Sequence, residues 1–209
     1  MKSNIERMKA GLLYDPTDPE IIKIQASHLD NIYEYNRIRP SDVKAREAKL
    51  KEMLSEMGHG CYIEAPFYAN FGGSHVHLGN NVYANYNLTL VDDGEIFIGD
   101  NTMIAPNVTI DTASHPIEPS LRKRFYQYNL PVHIGKNVWI GANVTILPGV
   151  TIGDNTVIGA SSTVTNDMPE NAVCYGTPCR VIRKISERDR KYYYRNLQID
   201  IPIECETQK

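Results

Sequence analysis

The sequence predicts a mainly β protein: a parallel β-helix of triangular coils, preceded by an N-terminal helical segment and interrupted by a long extruded loop. Three observations carry this. Aliphatic residues recur at every sixth position over much of the chain. The apolar period changes from helical to six near residue 61. The six-residue register stops after Ile110 and resumes at Ile134.

Residues 1–58 read as helical. Ile21, Ile22, Ile24, Leu29, Ile32 and Tyr33 fall at roughly helical spacing. A second helix is expected from Ser41 to Met57, with Ser41 as N-cap after Pro40. Lys44, Arg46, Glu47, Lys49, Lys51 and Glu52 give it a charged face, and Gly58 and Gly60 end it. This region has no catalytic cluster of its own.

Beyond it, every sixth residue reads Leu78, Ala84, Leu90. After a two-residue slip at Asp92-Asp93-Gly94 it reads Ile98, Ile104, Ile110, and after the second break Ile134, Ile140, Ile146, Ile152, Ile158, Val164. Eleven of these twelve positions are aliphatic and one is alanine, where a chain that is 42 % hydrophobic would give about five apolar hits by chance. Neither a helix nor an ordinary strand has a period of six. A triangular coil does: each hexapeptide makes one short strand and one corner, and 18 residues return the chain to the same face. The aliphatic points inward. The Gly that often follows it is expected to take positive φ at the corner, and Asn81, Asn101, Asn137 and Asn155 suit turns. Twelve blocks make four coils, about 19 Å tall at strand spacing, and residues 61–77 add a less regular first coil. The expected organisation is a helical segment over 1–58, a β-helix over 59–184 with its loop at 111–133, and a tail over 185–209.

Composition narrows the function. With 22 basic and 25 acidic residues the net charge is −3, which argues against nucleic acid or an anionic membrane as partner. No stretch approaches the roughly 20 apolar residues of a membrane span. Met1 to Arg7 is polar, without an apolar signal core, so a cytoplasmic protein is expected. Cys61, Cys174, Cys179 and Cys205 show no CxxC spacing and are read as reduced thiols.

Several segments are more specific than the repeat. They are Lys9-Ala10-Gly11-Leu12-Leu13-Tyr14, the run from Tyr83 to Asp93, Ile98-Gly99-Asp100-Asn101, Ile104-Ala105-Pro106-Asn107-Val108-Thr109, Ser114-His115-Pro116, Val138-Trp139-Ile140-Gly141 and the run from Gly176 to Arg183. Together they resemble the hexapeptide-repeat acyltransferases, in the galactoside and maltose O-acetyltransferase branch, over nearly the whole chain. The resemblance implies a left-handed β-helix, a handedness that periodicity alone does not give. It also implies acetyl-CoA as co-substrate with no metal required, a sugar hydroxyl as acceptor, direct transfer in a ternary complex, and a homotrimer with active sites at subunit interfaces.

The chemistry is expected in the insert between Ile110 and Ile134. A repeat that keeps register on both sides has extruded a functional arm. It carries His115, and a neutral imidazole suits the base that takes a hydroxyl proton during acyl transfer. The resemblance assigns Asn85 to the acyl group, where its amide would donate to the developing oxyanion. It selects Asp93 over Asp92 for the acceptor and adds Asn70, although the chain carries one additional residue there. It also implies an N-terminal carboxylate at the acceptor, for which Asp15 and Asp18 compete and Asp18 is carried forward. Ala142, Ala160, Thr165 and Asn166 match positions lining the coenzyme A groove, with Asn166 standing where the family often has Lys. Arg180 and Arg183 match its phosphate-side arginines.

Alternatives remain at this stage. The acceptor is a sugar of galactoside, maltose or glucose type, or else serine or an antibiotic. His75, His77, His115 and His133 also admit a zinc hydratase like the gamma carbonic anhydrases. A non-catalytic β-helix module is the third reading, disfavoured by the intact His115-Pro116. A covalent acyl-enzyme on Cys174 or Cys179 is disfavoured, since neither lies beside a sequence-local base.

Overall fold

The computed structural model describes residues 2–203, so Cys205 lies outside the described residues. Three helices lead the chain. Helix α1 (Asn4–Lys9) starts on a capping box between Ser3 and Glu6. Helix α2 (Pro19–Arg37) starts at Asp18, with Pro19 in the first turn. Helix α3 (Val43–Met53) is capped by Asp42, whose side chain accepts from the Ala45 amide at 3.1 Å, and not by Ser41. It also stops at Met53 instead of Met57. Glu56 and Met57 instead pair in parallel with His77 and Leu78. Met57 is the first inward residue of the solenoid, and joining that ladder outweighs its helix propensity.

The solenoid therefore begins at Glu56, and Met57, Ile63 and Ala69 extend the six-residue register backwards into a full first coil. Three parallel sheets form its faces. The first holds Glu56–Met57, Val76–Leu78, Ile96–Ile98, Val132–Ile134 and Thr151–Ile152. The second holds Tyr62–Ile63, Tyr83–Ala84, Met103–Ile104, Trp139–Ile140, Val157–Ile158 and Ala172–Gly176. The third holds Tyr68–Ala69, Thr89–Val91, Thr109–Asp111, Thr145–Ile146 and Thr163–Val164. All twelve register positions from Leu78 to Val164 are buried in one continuous core. Each buried Ile or Leu contributes roughly 1.5–3 kcal/mol. The strand Cys179–Lys184 adds no further coil. It folds back antiparallel on Ala172–Gly176. A hairpin of Tyr192–Tyr194 and Leu197–Gln198 follows.

The corners divide labour differently from the expectation. Gly79, Gly99, Gly135, Gly141, Gly153 and Gly159 are not left-handed. The positive φ falls two residues later, on Asn81, Asn101, Asn137 and Asn155 on one corner and Asn87, Asn107, Asn143 and Ser161 on the next. Glycine is needed for close approach instead: a Cβ at Gly141 would lie 2.6 Å from the Ala160 nitrogen of the coil above. Asn tolerates the left-handed region and earns a second use, since its amides bond up the stack, Asn137 to Asn155 and Asn155 to Asn171, each at 3.0 Å.

Every break in register falls at one corner, between the third and first faces. The first coil leaves it through residues 70–75, the second through 92–95 and the third through 112–131. Stacking the coils brings these three interruptions together, although they lie far apart in sequence.

Candidate active site

The interruptions build a buried polar cluster. Asp92 pins the first two together: it accepts from the Phe71 amide at 2.7 Å and the Gly73 amide at 2.8 Å and is fully buried. Burial pushes its carboxyl up to about 6, against the pull of those two amides. Asp93 points the other way. Its Oδ2 accepts from Asn70 Nδ2 at 2.9 Å, its Oδ1 from Gln127 Nε2 at 2.8 Å, and its backbone carbonyl from Asn129 Nδ2 at 2.8 Å. Asn70 and Asp93 are thus in direct contact.

The insert is an ordered arm, not a plain loop. Ala113–Ser114 pairs antiparallel with Tyr128–Asn129, and the short helix α4 (Pro119–Arg122) crosses its tip. His115 follows the first strand, and its Nδ1 lies 2.8 Å from the Tyr126 carbonyl. A carbonyl only accepts, so Nδ1 carries a proton, and in the neutral ring Nε2 keeps its lone pair. The imidazole is exposed on the isolated chain. The arm also carries Ile117 and Phe125, 91 % and 61 % exposed.

Asn85 sits at the opposite edge of the third face, on the corner it shares with the second. Its backbone bonds to Ile104, and its Oδ1 accepts from the Tyr86 amide at 2.8 Å, which leaves its NH2 end without a partner among the described residues. Directly up this corner come Ala105, Gly141 and Gly159, each bonded to the coil above. Ala142 and Ala160 lie beside them, and the Ala142 carbonyl accepts from Ser161 at 2.8 Å. Ala105, Gly141, Ala142, Gly159 and Ala160 give this edge a strip of small side chains. Thr165 and Asn166 lie on the other edge of the same face, where Asn166 Nδ2 donates to Thr165 Oγ1 at 2.8 Å. Between the edges the face presents Thr89, Thr109, Thr145 and Thr163, a polar β-branched ladder.

The fold-back strand carries both arginines. Arg180 is exposed, and its guanidinium touches only the Cys179 carbonyl among the described residues, at 2.9 Å. Arg183 is engaged: Nη1 and Nη2 grip Asp189 at 2.7 and 2.8 Å. Arg183 and the Ser186 amide hold the Asp189 carboxyl down at about 2. A long, phosphate-bearing thioester fits this set, with small residues along a strip of backbone and a cation at its end.

The N-terminal carboxylates are occupied locally. Asp18 caps α2 through Glu20 at 2.9 Å and accepts from Asn4 at 2.8 Å, which lowers its carboxyl. Asp15 takes the Thr17 amide and hydroxyl at 2.9 and 2.6 Å. Neither hydrogen-bonds the Asp93 cluster; the N-terminal residue that does is Tyr14. Its OH accepts from Gln127 Nε2 at 2.6 Å, and its main chain bridges Gln127 in both directions. Tyr14, Gln127 and Asn129 escaped the sequence reading. The available signal was the alternation of Gln127 and Asn129 with Tyr126 and Tyr128, a strand pattern inside an apparent loop.

The other histidines have structural settings. His75 Nδ1 donates to the Asp92 carbonyl at 2.7 Å. His77 Nε2 lies 2.7 Å from Glu95, and the His77, Phe97 and His133 rings stack along the first face at 4.5 and 4.7 Å. Among the described residues no three His, Cys, Asp or Glu side chains gather as a cation site.

Residues 131–166 match the family model described as bacterial transferase hexapeptide (six repeats), and residues 7–58 match the maltose acetyltransferase hexapeptide capping motif. The chain is 50 % identical over 196 residues to galactoside O-acetyltransferase of Lactococcus lactis subsp. lactis (strain IL1403), covering 94 % of this chain and 95 % of that protein. Among solved structures it is similar to a galactoside acetyltransferase in complex with coenzyme A, with a TM-score of 0.92 and 45 % identity over 96 % of this chain and 100 % of that one. It is also similar to a maltose O-acetyltransferase from Clostridium difficile 630, with a TM-score of 0.86 and 41 % identity over 88 % of this chain and 98 % of the other.

Proposed function

The chain belongs to the hexapeptide-repeat acyltransferases, in the galactoside and maltose O-acetyltransferase branch with its left-handed β-helix, and from that premise we propose that it moves the acetyl group of acetyl-CoA directly to a hydroxyl of a galactoside, maltose or glucose type sugar. The observation that carries this reading is the fixed tautomer of His115. With Nδ1–H spent on the Tyr126 carbonyl, Nε2 is the site that takes the acceptor proton.

The steps follow from the residues. Asp93 and Asn70 hold acceptor hydroxyls by hydrogen bonds, with an N-terminal carboxylate, Asp18 or Asp15, closing the acceptor side. His115 Nε2 removes the proton as the hydroxyl oxygen attacks the thioester carbonyl. The unpartnered NH2 of Asn85 donates to the oxyanion. The C–S bond breaks, and the His115 imidazolium returns its proton to the departing sulfur. Ala142 and Ala160 on one edge of the third face, and Thr165 and Asn166 on its other edge, take the pantetheine arm, and Arg180 supplies charge for the phosphates. Arg183 joins it only by loosening its grip on Asp189.

Direct transfer is supported by the state of the thiols. Burial raises Cys174 to about 11 and also raises Cys179, so neither is a ready nucleophile.

A shared site in a homotrimer is supported by the layout of the third face. Asn85 and the His115 arm rise from its opposite edges, roughly 16 Å apart for five residues at strand rise. Within one chain the third face lies between the two groups, which favours the arm of a neighbouring chain as the one that completes each site. The apolar column Tyr83, Met103, Trp139 on the second face and the exposed Ile117 and Phe125 are surfaces for such a neighbour.

The test is a panel of galactoside, maltose, glucose, serine and chloramphenicol with acetyl-CoA, read by thiol release. A sugar should give the highest rate above the hydrolysis seen without acceptor. A serine or chloramphenicol rate exceeding every sugar would replace the sugar reading with the alternative acceptor class.

A further inference from the structure

We propose that Gln127 is a positioning residue that locks the acceptor carboxylate Asp93 to the His115 arm, and that Tyr14 makes the N-terminal segment the third party to this lock. The proposal rests on the reading of Asp93 as an acceptor contact and His115 as the base.

Residues 126–128 are placed to serve three elements at once. The Tyr126 carbonyl fixes His115 at 2.8 Å, the Gln127 side chain fixes Asp93 at 2.8 Å, and Tyr128 pairs with Ser114, the residue before His115. The Gln127 main chain meets that of Tyr14 in a two-way bridge, 3.0 Å from its own amide and 2.9 Å from that of Tyr14. Displacing Gln127 would therefore move the carbonyl that sets the base and release the carboxylate in one event.

The distances point to one proton pattern. Gln127 Nε2 has two protons and gives them to its nearest acceptors, Tyr14 OH at 2.6 Å and Asp93 Oδ1 at 2.8 Å. The longer 3.3 Å approach of Nε2 to Asn129 Oδ1 is left to Tyr14, whose OH donates there. Burial and the nearby Asp93 charge keep the Tyr14 phenol protonated far above neutral pH, so it remains a donor. Asn129 Nδ2 closes the ring on the Asp93 carbonyl. Both side-chain oxygens of Asp93 are thus met by neutral amides, from Asn70 and Gln127. The titratable groups facing this cluster are Tyr14, Asp92, Asp111 and, across the adjoining cleft, His75, Glu95 and Lys9.

Two substitutions separate positioning from bulk. Gln127→Met keeps length and removes both donors. Gln127→Glu keeps shape and sets a second carboxylate against Asp93, so the pair must share a proton. With acetyl-CoA and the fastest sugar of the galactoside, maltose and glucose set, Gln127→Met should raise the sugar KM about tenfold while the acetyl-CoA KM stays within about twofold. In Gln127→Glu, the acid limb of kcat/KM for the sugar should move up by about one pH unit or more. Folded variants with wild-type sugar KM and an unmoved profile would overturn the proposal. If both variants fail to fold, Tyr14→Phe decides: it removes one hydroxyl, and an unchanged sugar KM there has the same overturning force as a rise of about threefold has supporting force. His115→Ala run alongside keeps the two readings apart. Retained turnover in it removes the base assignment, whereas the sugar KM of the Gln127 variants still reports on Asp93.

Discussion

Asn107 donates its side-chain amide to Asn143 at 3.1 Å across 36 residues, while the equivalent bond from Asn137 to Asn155 spans 18. The difference, 36 − 18 = 18 residues, is the arm, and it leaves the far corner unaffected. The bond from Asn81 to Asn101 spans 20, which is one coil plus the two-residue slip at Asp92-Asp93-Gly94. One corner absorbs every insertion, and the asparagine ladders on the others keep the stack in register.

Asn143 holds φ at 58°. Asn143→Ala places an ordinary side chain in the left-handed region and deletes the ladder bond, at a cost of about 1–2 kcal/mol. Asn143→Gly deletes the bond but keeps the backbone free. Urea unfolding should rank wild type above Gly above Ala. An Ala variant as stable as the Gly variant would contradict the corner mechanism.

Gly99→Ala tests the close-approach role. Its Cβ would lie 2.7 Å from the Gly135 carbonyl carbon and 2.8 Å from the Lys136 nitrogen, backbone atoms of the next coil that cannot rotate aside. A loss of about 1–3 kcal/mol is expected in thermal or urea unfolding. A neutral substitution would show that the coils tolerate wider spacing than the ladder indicates.

Asp92 gives a pH signature. Its carboxyl is raised in the folded protein to about 6, above the ordinary value of 3.8. The folded state therefore holds this proton more tightly than the unfolded state between those values. Its contribution to stability is complete below about pH 4 and is lost as pH rises to about 6. Asp92→Asn should remove that slope. It should also destabilise at pH 8 by about 1–3 kcal/mol, because the amide has one acceptor for two buried N–H groups. Unfolding at pH 4, 5, 6 and 8 checks both. A wild-type slope retained in the variant would assign the titration elsewhere.

Arg183 and Asp189 give a binding signature. Asp189→Asn loosens the bidentate grip and frees a cation beside Arg180. The acetyl-CoA KM should fall by about threefold, the scale of an exposed ion pair, with the sugar KM unchanged. A rise in acetyl-CoA KM would mean that the pair holds the strand in its binding shape instead.

The β-helix was legible because its signal is one-dimensional. Inward positions such as Ile134, Ile140 and Ile146 need one property, apolar bulk, and they need it at a fixed interval. The start of the solenoid was not legible, because Met57 suits a helix as well as a coil and only its pairing with Leu78 decides. Asparagine was placed rightly at the left-handed corners, whereas the corner glycine was given positive φ it does not have, since its close approach depends on the coil above and not on the local residue. At the proposed site, His115, Asn70 and Asp93 were singled out from the sequence. Gln127 was not, because its importance comes from the stacking of three sequence-distant interruptions, which no local pattern encodes.

The central claim is that Nε2 of His115 takes the acceptor proton. The most direct measurement is the rate of sugar-dependent thiol release from acetyl-CoA by His115→Ala, with and without added imidazole, after its oligomeric state and fold are matched to wild type. Turnover should fall by about 10² or more, the scale of a lost general base, and imidazole should restore part of it. Undiminished turnover in the folded variant would contradict the account.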